Sequence, residues 1–265
     1  MMIRGIDVSS HNGQPFNAKT EAAFAESNFC IFKTTQALSY VNPCANYAAE
    51  RTDRDGKLMG FYHYAGGLDP VAEADYFIKH SGAYFGKGIP VLDWESYQND
   101  AWGDRNWCKM FCNRVHDVKG VWPMIYVQAS ALDQVANCAE TCALWIAGYP
   151  ADNDTWDVPV FPYSTEPWET FTVWQYSSSH GTLDRNIANI DGRQWQAIAE
   201  GEDSMQRLSD EDVQRIAAAC ASYVWDGSKE DKENNLNMYN TLHWAYKLLQ
   251  GLARDVAKIL AIVSK

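Results

Sequence analysis

Asp93 and Glu95 stand two residues apart at the end of an apolar run, Pro90-Val91-Leu92-Asp93-Trp94-Glu95. On a strand, residues i and i+2 project to the same face, so both carboxyls point the same way. Two ionised carboxylates at close range repel, so one keeps its proton near neutral pH. A carboxylic acid beside a carboxylate is the equipment for cleaving a glycosidic bond. The bland alternative is a strand end carrying two solvated acids. Two further acids weigh against it. Asp7 lies at the end of the first apolar run, and Asp184 follows the last strong strand candidate, in Leu183-Asp184-Arg185-Asn186. If the sheet closes, the first and last strands become neighbours, and Asp7 and Asp184 flank the central pair. Asp7, His11, His63 and Asp93 can also be drawn as a hydrolytic metal site. A histidine near a strand end is more often held by a hydrogen bond, so neither metal nor cofactor is expected.

Elements that would position these acids are visible in the pattern. Strand candidates are Ile3–Val8, Phe29–Thr34, Met59–Tyr64, Pro90–Trp94, Met124–Val127, Leu144–Ala147 and Thr172–Gln175. Helix-like segments between them are Lys19–Ser27, Cys44–Asp55, Val71–His80, Asp104–Lys119 and Ser130–Ala136. Strand and helix in alternation predict a parallel sheet with crossover helices. After about residue 144 the strands follow one another with little helix between them. This fits an α/β chain whose TIM-like (β/α) barrel is irregular, with few helices. In such barrels, the C-terminal ends of strands carry the catalytic groups. An open doubly wound sheet is the runner-up. No GxGxxG follows the first strand, so a dinucleotide site has no support.

Three organisational units follow: a catalytic domain over 1–200, a linker over 201–208 and a small all-α appendage over 209–265. Ser209-Asp210-Glu211-Asp212 resembles a capping box. Leu242, Ala245, Leu249, Leu252, Val256, Ile259 and Val263 then form an a/d seam over three heptads. A second helical segment this apolar must pack on something: the first domain, its neighbour, or another copy of the chain. Homo-oligomerisation through residues 209–265 is therefore one expectation.

The composition narrows the partners. The chain has 265 residues and a net charge of −12. Residues 1–200 carry −10 of that charge, against −2 in the remainder. An acidic balance argues against tracking nucleic-acid phosphates or docking on an anionic membrane. No run of about 18 apolar residues is present. Met1 to Asp7 shows no basic n-region leading into an apolar stretch, so synthesis without an export signal is expected. The seven cysteines are then expected as reduced thiols. Cys108 and Cys112, and Cys138 and Cys142, are each four residues apart, which is not a zinc-ribbon spacing. The 11 Trp and 14 Tyr suit sugar faces as well as cores.

Eight short motifs, in order over about residues 3–195, carry a resemblance. They are Gly5-Ile6-Asp7-Val8-Ser9 with Asn12-Gly13, Phe32-Lys33-Thr34-Thr35 with Asn42-Pro43, and Gly60-Phe61-Tyr62-His63-Tyr64-Ala65. Pro90 to Glu95 follows, then Pro123-Met124-Ile125-Tyr126, Leu144-Trp145-Ile146-Ala147, Val173-Trp174-Gln175-Tyr176 and Leu183-Asp184-Arg185-Asn186. In this order the chain resembles the glycoside hydrolase family 25 muramidases, the Chalaropsis-type lysozymes, which include phage endolysins. The resemblance implies an irregular eight-stranded barrel that cleaves the β-1,4 bond between N-acetylmuramic acid and N-acetylglucosamine in peptidoglycan. It implies Glu95 as catalytic acid/base, Asp93 as partner carboxylate, and Asp7 and Asp184 as supporting acids. It places Tyr62, Tyr126, Trp145 and Gln175 along the sugar cleft. It also implies synthesis in a host cytoplasm and release to the wall by a holin, with residues 209–265, from their position after the catalytic domain, as a wall-binding segment. Two positions depart from the family pattern: His11 precedes Asn12-Gly13, where Gln-Gly is common, and Arg185 stands where an aliphatic residue is common. Neither removes a carboxyl. Competing readings are a non-catalytic wall-binding barrel and another glycan-cleaving enzyme. Chitin-type barrels use a longer Asp-x-x-Asp-x-Asp-x-Glu run, of which only the last acidic pair is present here.

Overall fold

The computed structural model describes residues 2–201 of the chain. The rest of the expected linker, the helices of 209–265, their heptad seam and any self-association through it lie outside the described residues. The strands are β1 Ile3–Val8, β2 Phe29–Gln36, β3 Tyr40–Val41, β4 Leu58–Tyr64, β5 Gly88–Trp94, β6 Met124–Gln128, β7 Leu144–Ala147, β8 Val173–Ser177 and β9 Asp184–Ala188. The helices are α1 Ala18–Glu26, α2 Ala45–Arg54, α3 Pro70–Ser81, α4 Trp107–Lys119 and α5 Gly192–Glu200. Strand β3 is a short antiparallel arm on β2. The other eight strands close into a barrel in the order β1, β2, β4, β5, β6, β7, β8, β9 and back to β1. Pairings from β1 to β8 are parallel, while β9 runs antiparallel to both of its neighbours. The expected barrel with few helices is formed, and closure excludes the open sheet.

Closure differs from expectation in its last strand. Asp184 does not follow the final strand but opens β9, which fits between β8 and β1. Asp-Arg-Asn has weak strand propensity, which hid this element from a pattern reading. The tertiary setting overrides propensity. Asp184 and Asn186 face the polar mouth, and outward Arg185 stacks over Trp156 at 4.8 Å and pairs with Asp154 at 3.0 Å. Three helix expectations also shift. Ser130–Ala136 forms 3-10 turns at Ala129–Gln134 and Ala136–Cys138, not an α-helix. Helix α4 starts at Trp107 rather than Asp104. Helix α5 was not anticipated; Asp191 and Gln194 cap its N-terminus reciprocally.

Strand alternation divides the apolar residues into two cores. Outward residues such as Phe32, Phe61, Leu92, Trp94, Ile125 and Trp174 pack under the helices. Inward residues such as Phe29, Ile31, Ile89, Val91, Met124 and Val173 fill the barrel. Trp195 of α5 plugs the N-terminal end: its ring lies 4.7 Å from that of Phe29, and its indole N–H donates to the Met59 carbonyl at 2.8 Å. The interior is therefore dry at one end, and polar side chains gather only at the other.

Gly5 is required by this packing. A Cβ there would meet the Phe29 ring at 2.1 Å. The ring is fully buried and cannot swing aside. Gly5→Ala should cost about 1–3 kcal/mol, the usual penalty for overfilling a core. A lowered urea midpoint with unchanged slope is the expected result; an unchanged midpoint would show that the ring has room.

Candidate active site

At the C-terminal end of the parallel strands a cavity of about 400 Å³ opens. Its lining includes all eight residues singled out in the sequence: Asp7, Tyr62, Asp93, Glu95, Tyr126, Trp145, Gln175 and Asp184. Asp7 sits on β1, Tyr62 on β4, Asp93 on β5 with Glu95 just beyond it, Tyr126 on β6, Trp145 on β7, Gln175 on β8 and Asp184 on β9. Inward parity at the ends of seven strands thus brings them together from across 178 positions of sequence. Asp7 lies directly opposite Asp184 in the β1–β9 register.

Asp7 is held by a chain of hydrogen bonds whose polarity is fixed at its ends. The Trp145 indole N–H, which can only donate, gives its proton to Asn186 Oδ1 at 2.9 Å. Asn186 Nδ2 must then point to Asp7, and it donates to Oδ2 at 2.7 Å. On the other side, Tyr126 donates to Gln175 Oε1 at 2.8 Å, as does Tyr149. Gln175 Nε2 in turn donates to the same Asp7 oxygen at 2.9 Å. Burial pushes the Asp7 carboxyl up to about 6, and the bonds from Gln175, Asn186 and Asp184 hold it from rising further. Trp145, Tyr126 and Gln175 line the cavity but are also the frame for this carboxyl.

The other three acids are also displaced upward. Burial comes first for Asp93, which ends well above the carboxylate range, with the Glu95 charge adding and Lys33 opposing. Burial also comes first for Glu95, followed by the Asp7 charge. Lys33 and the side-chain hydrogen bond with Asp93 oppose that rise. Asp184 is raised well above its ordinary value by burial and by the charges of Asp7 and Glu95. One oxygen of Asp93, Oδ1, is buried without a hydrogen-bond partner.

Several site residues were not singled out from sequence. Lys33 is the one Lys or Arg among the lining residues. It donates to Gln36 at 2.6 Å and lies 4.5 Å from the Tyr64 ring centre. Tyr64, Tyr97, Tyr149 and Gln98 also form the walls, and Ser9, His11 and Gln36 complete them. Asn186 was legible as the i+2 partner of Asp184, once a strand is placed there. Lys33 lies within a quoted motif and carries the same inward parity as Phe29 and Ile31. His63 belongs elsewhere. It faces the helix layer, stacked on Phe111, with Thr35 and the Glu73 carboxylate each 2.8 Å from a ring nitrogen. Burial lowers its pKa, opposed by Glu73. Asp7, His11, His63 and Asp93 therefore do not assemble as a metal-binding group.

The raised carboxyls carry a stability cost with a defined sign. Asp93 holds its proton more tightly folded than unfolded, so its contribution is fully present below about pH 4 and is lost as pH rises through the folded pKa. Asp93→Asn is neutral at every pH. Its thermal midpoint at pH 7 should lie about 3–6 °C above that of the parent, with little difference near pH 4. Equal shifts at both pH values would exclude titration of Asp93 as the cause.

Comparison with known proteins agrees with the geometry. Residues 6–184 match the family model described as glycosyl hydrolases family 25. An N,O-diacetylmuramidase of a Chalaropsis species is 30% identical over 71% of this chain and 97% of its own length. A lysozyme of Streptococcus phage Cp-1 is 29% identical over 70% of this chain. Among solved structures, the modular Cpl-1 endolysin in complex with a peptidoglycan analogue matches with a TM-score of 0.56 and 27% identity, over 71% of this chain. The present chain spans about half the length of those last two, 53% and 54%. The order of the motifs, the closing strand β9 and the match over most of the described barrel lead to one assignment: this chain belongs to glycosyl hydrolase family 25.

Proposed function

We propose that the chain hydrolyses peptidoglycan, cutting the β-1,4 bond between N-acetylmuramic acid and N-acetylglucosamine. The observation that carries this is the cavity mouth, where Asp93 and Glu95 share one strand end and hold a proton well above the usual carboxylate range. A group that stays protonated near neutrality can protonate a leaving oxygen, and its ionised neighbour can stabilise positive charge at the sugar. The names of the relatives, muramidase and lysozyme, support the substrate.

The roles follow from burial. Both carboxyls are raised by burial, Asp93 the more strongly, so in the resting pair the proton is favoured on Asp93. Asp93 lines the cavity, so its accessible side can take an N–H from a sugar acetamido group. Such a bond favours ionised Asp93 and moves the proton to Glu95, the acid the reaction needs. The acetamido oxygen then attacks the anomeric carbon as Glu95 protonates the leaving oxygen. Water opens the resulting ring with Glu95 as base, and configuration is retained. Asp7 supplies negative potential at the mouth, Asp184 opposite it is the supporting acid that keeps its proton, and Lys33 limits the potential. Tyr62, with the aromatic walls, contacts sugar.

Residues 209–265 enter this proposal as a wall-holding or self-associating segment. Self-association would multiply weak contacts on a polymeric wall. Lysozymes of Streptococcus phages among the relatives support a phage endolysin, a protein that reaches the wall from inside the host at lysis.

Glu95→Gln should lower the rate of turbidity loss of purified walls at least about 10³-fold, with unchanged circular dichroism. Parent kcat/KM should fall on the alkaline side as the Asp93–Glu95 pair loses its proton, and the midpoint should lie above that of a free carboxyl. Normal lysis by the Gln variant, or release of reducing ends other than N-acetylmuramic acid, would overturn the assignment.

A further inference from the structure

One fully buried carboxyl, Glu73 in the first turn of α3, takes no part in lining the cavity. Two backbone N–H groups and a ring nitrogen meet it. Oε2 accepts from the Gly66 N–H at 2.8 Å and stands 2.8 Å from His63 Nε2. Oε1 accepts from the Leu68 N–H at 2.7 Å. Burying an acid is unfavourable unless donors meet it, and apolar packing of α3 alone would not need one. What the acid fixes is the path of residues 65–68, which leave β4 without belonging to a strand or a helix.

That segment is the platform for the turn that follows Glu95. Strand β5 ends at Trp94, so Glu95 lies outside the barrel ladder, and residues 96–98 are exposed. Two tethers fix the turn. The Tyr64 hydroxyl donates to the Tyr97 carbonyl at 2.6 Å. Buried Asn99 donates from Nδ2 to the Glu95 carbonyl at 2.9 Å, and its Oδ1 accepts from the Ala101 N–H at 3.1 Å. The turn then docks on the loop that Glu73 holds: the Asp100 N–H donates to the Gly66 carbonyl at 3.0 Å. The fit is close. A Cβ on Gly67, whose φ is +78°, would lie 2.2 Å from the Ala101 nitrogen and 2.5 Å from Asn99 Oδ1. Contacts therefore run without a gap from Glu73 through Gly66 and Asp100 to Asn99 and Glu95.

We propose that Glu73 and Asn99 are positioning residues for Glu95: Glu73 sets the 66–68 loop, the loop seats the 99–101 turn, and Asn99 holds the backbone of Glu95 at the cavity mouth. This deepens the peptidoglycan-hydrolase reading and rests on it. A general acid must come within hydrogen-bond reach of the leaving oxygen, and a displacement of about 1 Å can lower the rate about 10²-fold. Most of the cavity wall comes from other strands, so the loss falls on kcat rather than on KM. Glu73→Gln keeps the size of the side chain but replaces one acceptor by an NH2 group. Whichever way the amide turns, the N–H of Gly66 or of Leu68 loses its acceptor.

The test compares the full chain with its Glu73→Gln, Asn99→Ala and doubly substituted forms on soluble glycan strands from purified walls. Each single variant should lower kcat by a factor on the order of 10–100, with KM within about twofold of the parent. The double variant should fall little below the worse single one, because both act through one chain of contacts. Hydrogen exchange gives a readout that needs no activity. In Glu73→Gln the amides of Asp100 and Ala101 should exchange roughly 10-fold faster or more, while those of β6 are unchanged. Unchanged kcat in either folded variant, a loss confined to KM, multiplied losses in the double variant, or unchanged exchange at 100–101 would each overturn the proposal. Should Glu73→Gln fail to fold, Gly67→Ala wedges the same loop away from the turn and must give the same loss of kcat. A parent inactive on walls would overturn the hydrolase reading, while exchange at 100–101 still decides the coupling.

Discussion

Four carboxyl groups share one cavity mouth with a single lysine among the lining residues, and the rest of the architecture answers to that crowding. Buried like charges cannot all ionise, so the site resolves into carboxyls that keep a proton and carboxylates that are bonded in place. Asp7 takes two N–H donors on one oxygen, while Asp93 and Asp184 take the upward displacement. The arrangement is unfavourable for stability near neutrality. The barrel tolerates it because the opposite end of the interior is dry and tightly packed, from Phe29 and Val91 down to the Trp195 plug.

The closing strand converts this crowding into a defined geometry. An all-parallel barrel would bring its last strand to β1 by a crossover. The antiparallel β9 instead sets Asp184 directly across from Asp7 and puts Asn186 within 2.7 Å of the Asp7 carboxylate. The same strand turns Arg185 outward, where Asp154 and the Trp156 ring cover it. Asp154, pulled down to about 2 first by its bond from Lys19 and further by Arg185, remains a dependable counter-ion there. Arg185, a departure from the family pattern, thus fits as the outer anchor of the strand whose inner face carries two site residues.

Much of this was legible in the sequence, for physical reasons that also mark where reading stopped. Strands buried on both faces read as apolar runs, so β1, β2 and β4 to β8 were placed within a few residues. Parity then predicted that Asp93 and Glu95 share a face, without any knowledge of the partner strands. Strand β9 was not legible because its residues are chosen for the mouth and for an outer ion pair, not for strand propensity. Helix α5 was missed because its one decisive side chain, Trp195, acts at long range, against Phe29 and Met59. The extent to which burial displaces Asp93 and Glu95 was also beyond reach, because it is a property of the closed barrel.

That burial has a consequence for how the site is switched on. If the shared proton rests on Asp93, the free site is in the wrong protonation state for acid catalysis by Glu95. Correcting it requires a donor at Asp93 from the cavity, whose wall that residue forms. A sugar that brings an amide N–H to Asp93 supplies the donor as it binds. A sugar with a hydroxyl at the same place donates a weaker hydrogen bond and offers no internal nucleophile. Recognition of an acetamido sugar and activation of the acid are then one event. Selectivity in such a site resides in the proton position as much as in the shape of the cleft, and it follows from burying Asp93 more deeply than Glu95.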